Sequence, residues 1–157
     1  LAMIRRHRLL ETFLVEVLHY GWDEVHDEAE NLEHSVSDLM VERIDALLGH
    51  PERDPHGDPI PSAAGEVSIP QAVLLSSLDV GARVVVERIS DSDPELLKYF
   101  AAKGVTVGAR LEIGESDPYS ESLVLSVVDA APGADIAIAP QFALGPVAAR
   151  AVWVTSA

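Results

Sequence analysis

His26-Asp27-Glu28-Ala29-Glu30-Asn31-Leu32-Glu33-His34 is the stretch that decides how this chain is read. His26, Glu30, Glu33 and His34 fall at i, i+4, i+7 and i+8, which an α-helix places on one face. Two imidazoles and two carboxylates on one stripe make a chelating surface for a divalent cation. The competing reading is a solvated acidic face, which is what most charge runs are. A second pair shifts the balance. His7 and Glu11 stand at i, i+4 on an earlier helical segment, and all six histidines lie within the first 56 residues. That asymmetry suggests two parts with different jobs, and together the clusters favour a metal site.

Outward from that stretch the pattern is helical. Residues 1–20 carry Leu9, Leu10, Phe13, Leu14, Val17 and Leu18 as an apolar stripe, with Gly21 expected just past the helix end. Asp23 is the expected N-cap of the helix holding the acidic stripe, which runs to about His34. Ser37 is expected to cap a third helix bearing Met40, Val41, Ile44, Leu47 and Leu48, ended by Gly49. Residues 51–70 hold Pro51, Pro55, Pro59, Pro61 and Pro70 and read as a semi-rigid linker.

From residue 71 the character changes. Residues 82–89, 111–113, 123–128, 136–138 and 152–154 read as short strands separated by glycine turns. One helix, Pro94 to Lys103, interrupts them, with Pro94 in its first turn and Gly104 after its end. Five short strands and one helix point to a small barrel. The fold class is thus α+β: an all-α domain over 1–50, the linker over 51–70, and a β-barrel over 71–157. Tyr99, Phe100, Tyr119, Phe142 and Trp153 are read as ordinary core and turn residues of the barrel.

Composition narrows the function. A formal net charge of −15 opposes binding to nucleic acid phosphates, and the one basic cluster is Arg5, Arg6 and Arg8. The chain has no cysteine, so disulfides, thiolate ligands and thiol nucleophiles are out. No apolar run has the length of a membrane span, and a cytoplasmic location is the default reading. Leu1-Ala2-Met3-Ile4 is already in helical register with no capping residue before it, so a longer parent protein is expected. No P-loop, no Gly-x-Ser-x-Gly and no Gly-x-Gly-x-x-Gly occurs. Glu30-x-x-Glu33-His34 fails the His-x-x-Glu-His zinc protease pattern because Glu30 stands where a histidine is needed. Di-iron bundles need Glu-x-x-His, and here the histidine comes one residue late. Imidazole and carboxylate without thiolate suit Mn²⁺ or Fe²⁺, with Zn²⁺, Co²⁺ and Ni²⁺ able to substitute.

Taken together, Arg6-His7-Arg8-Leu9-Leu10-Glu11, Val25 through His34, Ser37-Asp38, and Asp54-Pro55-His56-Gly57-Asp58-Pro59-Ile60-Pro61 resemble the diphtheria toxin repressor family of metal-dependent transcriptional regulators, which includes the manganese transport regulators. Leu78-Asp79-Val80-Gly81 and Pro94-Glu95-Leu96-Leu97 resemble the SH3-like domain those regulators share with ferrous transport accessory proteins. The resemblance implies a helical dimerization and metal-binding domain followed by that SH3-like barrel, with the DNA-binding domain absent from this chain. It implies a metal-sensing regulator, a homodimer, that meets operator DNA through the absent domain, with no membrane and no small-molecule substrate. Glu30, Glu33 and His34 match the family's primary metal site, and His7, Glu11 and His26 its ancillary site. Asp93 is the best match for a carboxylate supplied by the barrel, with Glu95 a second choice; Leu96 falls near an amide position and cannot bind metal. Iron-responsive members carry cysteine where this chain has Glu30, which places Mn²⁺ ahead of Fe²⁺. Two other readings stand beside this one: a carboxylate–histidine metalloenzyme, for which no base is left over, and a metal-binding accessory or scaffold module.

If Glu30 is a ligand, Glu30→Cys should move preference from Mn²⁺ toward Fe²⁺, Co²⁺ or Zn²⁺ in competitive metal titrations. Unchanged selectivity would remove Glu30 from the ligand set.

Overall fold

The computed structural model describes residues 2–129 and 141–157. The chain divides into two compact units, Leu1–Ile69 and Pro70–Ala157.

In the first unit, helix α1 (Ala2–Glu16) packs against α2 (Val25–Glu33) and α3 (Asp38–Leu47). Leu9, Leu10 and Leu14 of α1 meet Val25 and Ala29 of α2 and Val41 and Ile44 of α3 in one apolar core. The first helix is shorter than its apolar stripe predicts. It stops at Glu16, because the chain turns back on itself: Tyr20 N–H donates to the Leu14 carbonyl at 3.0 Å, and His19 adopts a left-handed φ of 61°. Val17 and Leu18 are accordingly 40% and 52% exposed rather than core. The N-cap of α2 is Glu24, not Asp23, and it makes no side-chain capping bond. Ser37 caps α3 as expected, its hydroxyl accepting from Met40 N–H at 3.1 Å.

The three arginines of α1 are committed to tertiary contacts. Arg5 donates to Glu42 at 3.2 Å and Asp45 at 3.0 Å, tying α1 to α3. Arg6 donates to the carbonyls of Glu33 and Val36 and pairs with Asp38, covering the C-terminal end of α2 where backbone acceptors lack helical donors. Arg8 donates to the carbonyl of Pro59. The single basic cluster of the sequence is thus internal wiring.

Residues 51–61 do more than link. Asp54 Oδ1 accepts from the backbone N–H of His56 and of Asp58, both at 2.9 Å, and Gly57 supplies the left-handed φ of 87° that the turn needs. Arg53 and Pro59 form an isolated antiparallel bridge, and Ile60 joins the helical core at 8% exposure. This knot of chain sets Asp54 and His56 into the bundle, at 5% and 0% exposure. The expected tether is therefore folded structure over its first half.

Among its described residues the second unit forms a six-stranded antiparallel sheet: β1 (Val73–Leu74), β2 (Arg83–Ile89), β3 (Arg110–Gly114), β4 (Leu123–Asp129), β5 (Phe142–Leu144) and β6 (Val152–Ser156), ordered β1-β6-β2-β3-β4-β5. Alternation puts Val84, Val86, Leu111, Ile113, Leu125, Val127, Val152 and Val154 on the buried face. A register shift between Val86 and Arg88 breaks the alternation so that Ile89 is also buried. Helix α4 (Pro94–Lys103) has the predicted limits, with Asp93 as N-cap, Pro94 in the first turn and Gly104 left-handed at φ 80°; its Leu97 and Phe100 are buried. β1, β5 and the four-residue α5 (Pro146–Ala149) are too short for periodicity to reveal. The strand expected over 136–138 lies outside the described residues. Among the expected barrel aromatics, Phe100 is core, Trp153 lies under the Arg88 guanidinium at 3.9 Å, and Tyr119 is fully exposed. No helix among the described residues is long and apolar enough to cross a membrane.

Leu9→Ala should cost about 2–5 kcal/mol by urea unfolding, since it empties a fully buried site, and Ser37→Ala about 1 kcal/mol through the lost cap. Equal effects would contradict this division between core and cap.

Candidate metal centre

Glu11 is a carboxylate at 1% exposure inside the helical unit. A charge so buried needs partners. Helix α1 supplies His7 one turn earlier, with Nε2 at 3.4 Å from Glu11 Oε1. Helix α2 supplies His26, with Nδ1 at 3.6 Å from Glu11 Oε2 and 3.2 Å from His7 Nε2. The 51–61 loop supplies His56, with Nδ1 at 3.8 Å from Glu11 Oε2, and Asp54. Two triads therefore share Glu11: His7–Glu11–His26 and Glu11–Asp54–His56, the second wholly buried.

The donor spacing fits a cation. Three donors about 2.0–2.2 Å from one ion stand roughly 3.0–3.6 Å apart at octahedral to tetrahedral angles. In the first triad His7 Nε2 and His26 Nδ1 stand 3.2 Å apart, and the Glu11 carboxylate meets them through different oxygens, Oε1 at 3.4 Å from His7 and Oε2 at 3.6 Å from His26, separations within that range. In the second triad, Glu11 Oε2 and Asp54 Oδ2 are buried with no hydrogen-bond donor. Two acceptors facing each other need a proton or a cation between them.

Electrostatics say the same. Burial, then the like charges of Asp58 and Glu11, push Asp54 up to about 8, so at neutral pH it holds a proton it can donate to Glu11. Burial alone would lower His7, but the hydrogen bond and charge of Glu11, followed by those of Glu33, raise it to about 9. Burial alone would raise Glu11; the hydrogen bond and charge of His7, the charge of His56 and the hydrogen bond from Asp54 bring it below its ordinary value. Without a cation, protons on His7 and Asp54 supply the positive balance that Glu11 requires.

The remaining predicted residues take different places. Glu33 Oε2 lies 2.7 Å from His7 Nδ1, and Glu30 Oε1 lies 3.4 Å from His26 Nε2, so each carboxylate backs the far nitrogen of a first-triad histidine. That is the usual way a carboxylate orients a ligating imidazole. His34 is 75% exposed in its side chain, with Nε2 3.6 Å from Glu33 Oε1. Asp93 belongs to the other unit, where Oδ1 accepts from Glu95 and Leu96 N–H at the start of α4. Sequence spacing passed over Asp54 and His56 as donors. Their signal was there, an Asp-x-His pair in a Pro/Gly-rich turn, but it carries no helical period.

Residues 1–62 match the iron dependent repressor metal binding and dimerisation domain, and residues 73–156 match the FeoA domain. The chain is 33% identical over 138 residues to the iron-dependent repressor IdeR of Mycobacterium leprae, covering 80% of this chain and 59% of that protein. It is 33% identical over 124 residues to the diphtheria toxin repressor of Corynebacterium glutamicum, covering 72% of this chain and 54% of that protein. The chain thus spans a little over half the length of these curated relatives. Among solved structures, a manganese-dependent transcriptional repressor in complex with manganese is 49% identical with a TM-score of 0.88, over 99% of this chain and 70% of that one. The manganese regulator SloR is 29% identical with a TM-score of 0.79, over 99% of this chain and 67% of that one. The chain belongs to the diphtheria toxin repressor family of metal-dependent transcriptional regulators, carrying that family's metal-binding and dimerisation domain followed by a FeoA domain.

Proposed function

We propose that this chain is the metal-sensing and dimerization portion of a manganese- or iron-responsive repressor. The observation that carries the reading is Glu11, buried among His7, His26, Asp54 and His56 from two helices and one loop. A cation gripped there would draw α1, α2 and the 51–61 loop onto one point. Its differential affinity for that arrangement would shift the population toward it. Glu30, Glu33 and His34 are proposed as a second centre nearer the surface, with Glu33 shared between His7 and His34. Nitrogen and oxygen donors without thiolate suit Mn²⁺ or Fe²⁺, and Glu30, standing where iron-responsive members of the family carry cysteine, places Mn²⁺ first, with Zn²⁺, Co²⁺ or Ni²⁺ as substitutes.

The chain is proposed to act as a cytoplasmic homodimer. Leu39, Met40 and Leu47 share one side of α3 at 64%, 46% and 66% exposure, an apolar stripe that a two-fold partner would cover, whereas Ile44 is core. Operator DNA is proposed to be read by residues outside this chain. Support comes from the net charge of −15 and from the internal use of Arg5, Arg6 and Arg8. A sensor role, not catalysis, matches relatives that are repressors.

Calorimetric titration with Mn²⁺ tests the reading. Glu11→Gln should weaken binding at both triads, His7→Ala should lower affinity at one and spare the other, and His56→Ala should do the reverse. No heat from the unaltered chain would end the metal reading, and equal loss in all three variants would mean one shared centre.

The pH dependence follows from the two upward shifts. His7, raised from 6.5 to about 9, contributes stability that is present below 6.5 and lost as pH rises through 9. Asp54, raised from 3.8 to about 8, removes stability as pH rises across that window. The metal-free chain should therefore become less stable from about pH 6.5 to 9. A cation must displace the same protons, so Mn²⁺ affinity should rise by about one to two powers of ten per pH unit below pH 8. Flat affinity between about pH 6 and 7.5, read by competition with a chelator of known pH dependence, would contradict displacement of these protons.

A further inference from the structure

His56 is held from more than one side, and the holding group comes from the connection between α1 and α2. Its Nε2 lies 2.6 Å from the backbone carbonyl oxygen of Trp22. A carbonyl only accepts, so Nε2 bears a proton and donates it. The Trp22 indole lies stacked against the imidazole, 5.8 Å between centroids and 20° between planes. On the opposite edge of the ring, Nδ1 faces Glu11 Oε2 at 3.8 Å.

The connection that presents Trp22 is itself fixed. Tyr20 N–H reaches back to Leu14, Gly21 N–H donates to Glu24 Oε1 at 2.9 Å, and Glu24 N–H donates to the Gly21 carbonyl at 3.1 Å. Tyr20 hydroxyl donates to Glu28 of α2 at 3.0 Å. The short stretch before α2 is thereby pinned at both ends, and the Trp22 carbonyl points at one ring atom.

We propose that Trp22 is a positioning residue for the Glu11–Asp54–His56 centre: its carbonyl holds the imidazole proton on Nε2, and its indole sets the ring plane, so that Nδ1 is the atom offered to a cation. The inference rests on the metal-sensing reading above and adds to it the element that prepares the third donor. A neutral imidazole binds metal through one nitrogen, and which one is decided by the hydrogen bond at the other. Orientation from outside the ligand set typically changes affinity by about 10–100-fold.

The test has two arms. In the metal-free full chain, at a pH high enough that His56 carries a single proton, long-range ¹H–¹⁵N correlation spectra should show that proton on Nε2; a proton on Nδ1 instead would overturn the proposal. In a His26→Ala background, which leaves the Glu11–Asp54–His56 donors, Co²⁺ titration followed by visible absorption should show Trp22→Leu about 10-fold or more weaker. Trp22→Phe, which keeps a ring to stack, should stay within about threefold. Trp22→Leu preserves apolar character, and matched melting curves separate lost positioning from lost folding. Undiminished Co²⁺ affinity in a folded Trp22→Leu chain would sink this inference while leaving the metal reading intact. Absence of Co²⁺ binding by the unsubstituted chain would sink the metal reading and this inference with it.

Discussion

A carboxylate removed from water must be neutralised, paired or bound to a cation, and Glu11 is the place where this chain meets that constraint. Its partners come from three separate segments. His7 is one turn away on α1, His26 reaches over from α2, and Asp54 with His56 arrives from a loop that folds back onto the bundle. Removing Glu11 from the arrangement would leave four polar side chains converging on nothing. The apolar core of Leu9, Leu10, Leu14, Val25, Ala29, Val41, Ile44 and Ile60 holds these segments at the needed distance. Packing and chemistry are therefore one problem in this unit, since the helix that supplies Leu9 and Leu10 also supplies His7 and Glu11.

On the proposed reading, protons and metal would compete for the same groups. His7 and Asp54 both bind protons more tightly than free side chains do, but for different reasons: burial and the charges of Asp58 and Glu11 raise Asp54, whereas for His7 the hydrogen bonds and charges of Glu11 and Glu33 overcome a burial effect of the opposite sign. A divalent cation bound there would replace the two protons with the same total charge carried by one ion. The outer carboxylates Glu30 and Glu33 then keep His26 and His7 turned with their other nitrogens inward, so the first triad is oriented from behind. Such a layout suits a sensor. The site is held together without metal, and on the proposed reading the groups that balance it would yield when metal binds.

The arginines show how charge counting and structure meet. On sequence alone Arg5, Arg6 and Arg8 are the one basic cluster in an acidic chain. In the fold they do different things. Arg5 joins α1 to α3, Arg6 closes the end of α2, and Arg8 anchors the 51–61 loop. Arg8, next to His7 in sequence, thus holds the loop that brings Asp54 and His56 to Glu11. What reads as a surface charge pattern has become the scaffold of a buried site.

Helical period made much of this legible in advance. The i, i+4 spacing of His7 with Glu11 and of His26 with Glu30, the Ser37 cap, and the Pro94–Gly104 bracket around α4 are local signals, set by 3.6 residues per turn and by terminal backbone groups that need partners. The strands with alternating valines, 83–89 and 123–129, were legible for the same reason. Tertiary contact decided the rest. Nothing local ends α1 at Glu16 instead of Tyr20; the return of the chain toward α2 does. Nothing periodic marks Asp54 and His56 as donors, because a loop has no repeat, and only its folding against α1 places them at Glu11. Residue type and spacing determined which atoms were available to a cation, while the three-dimensional path of the loop decided which of them share one buried point.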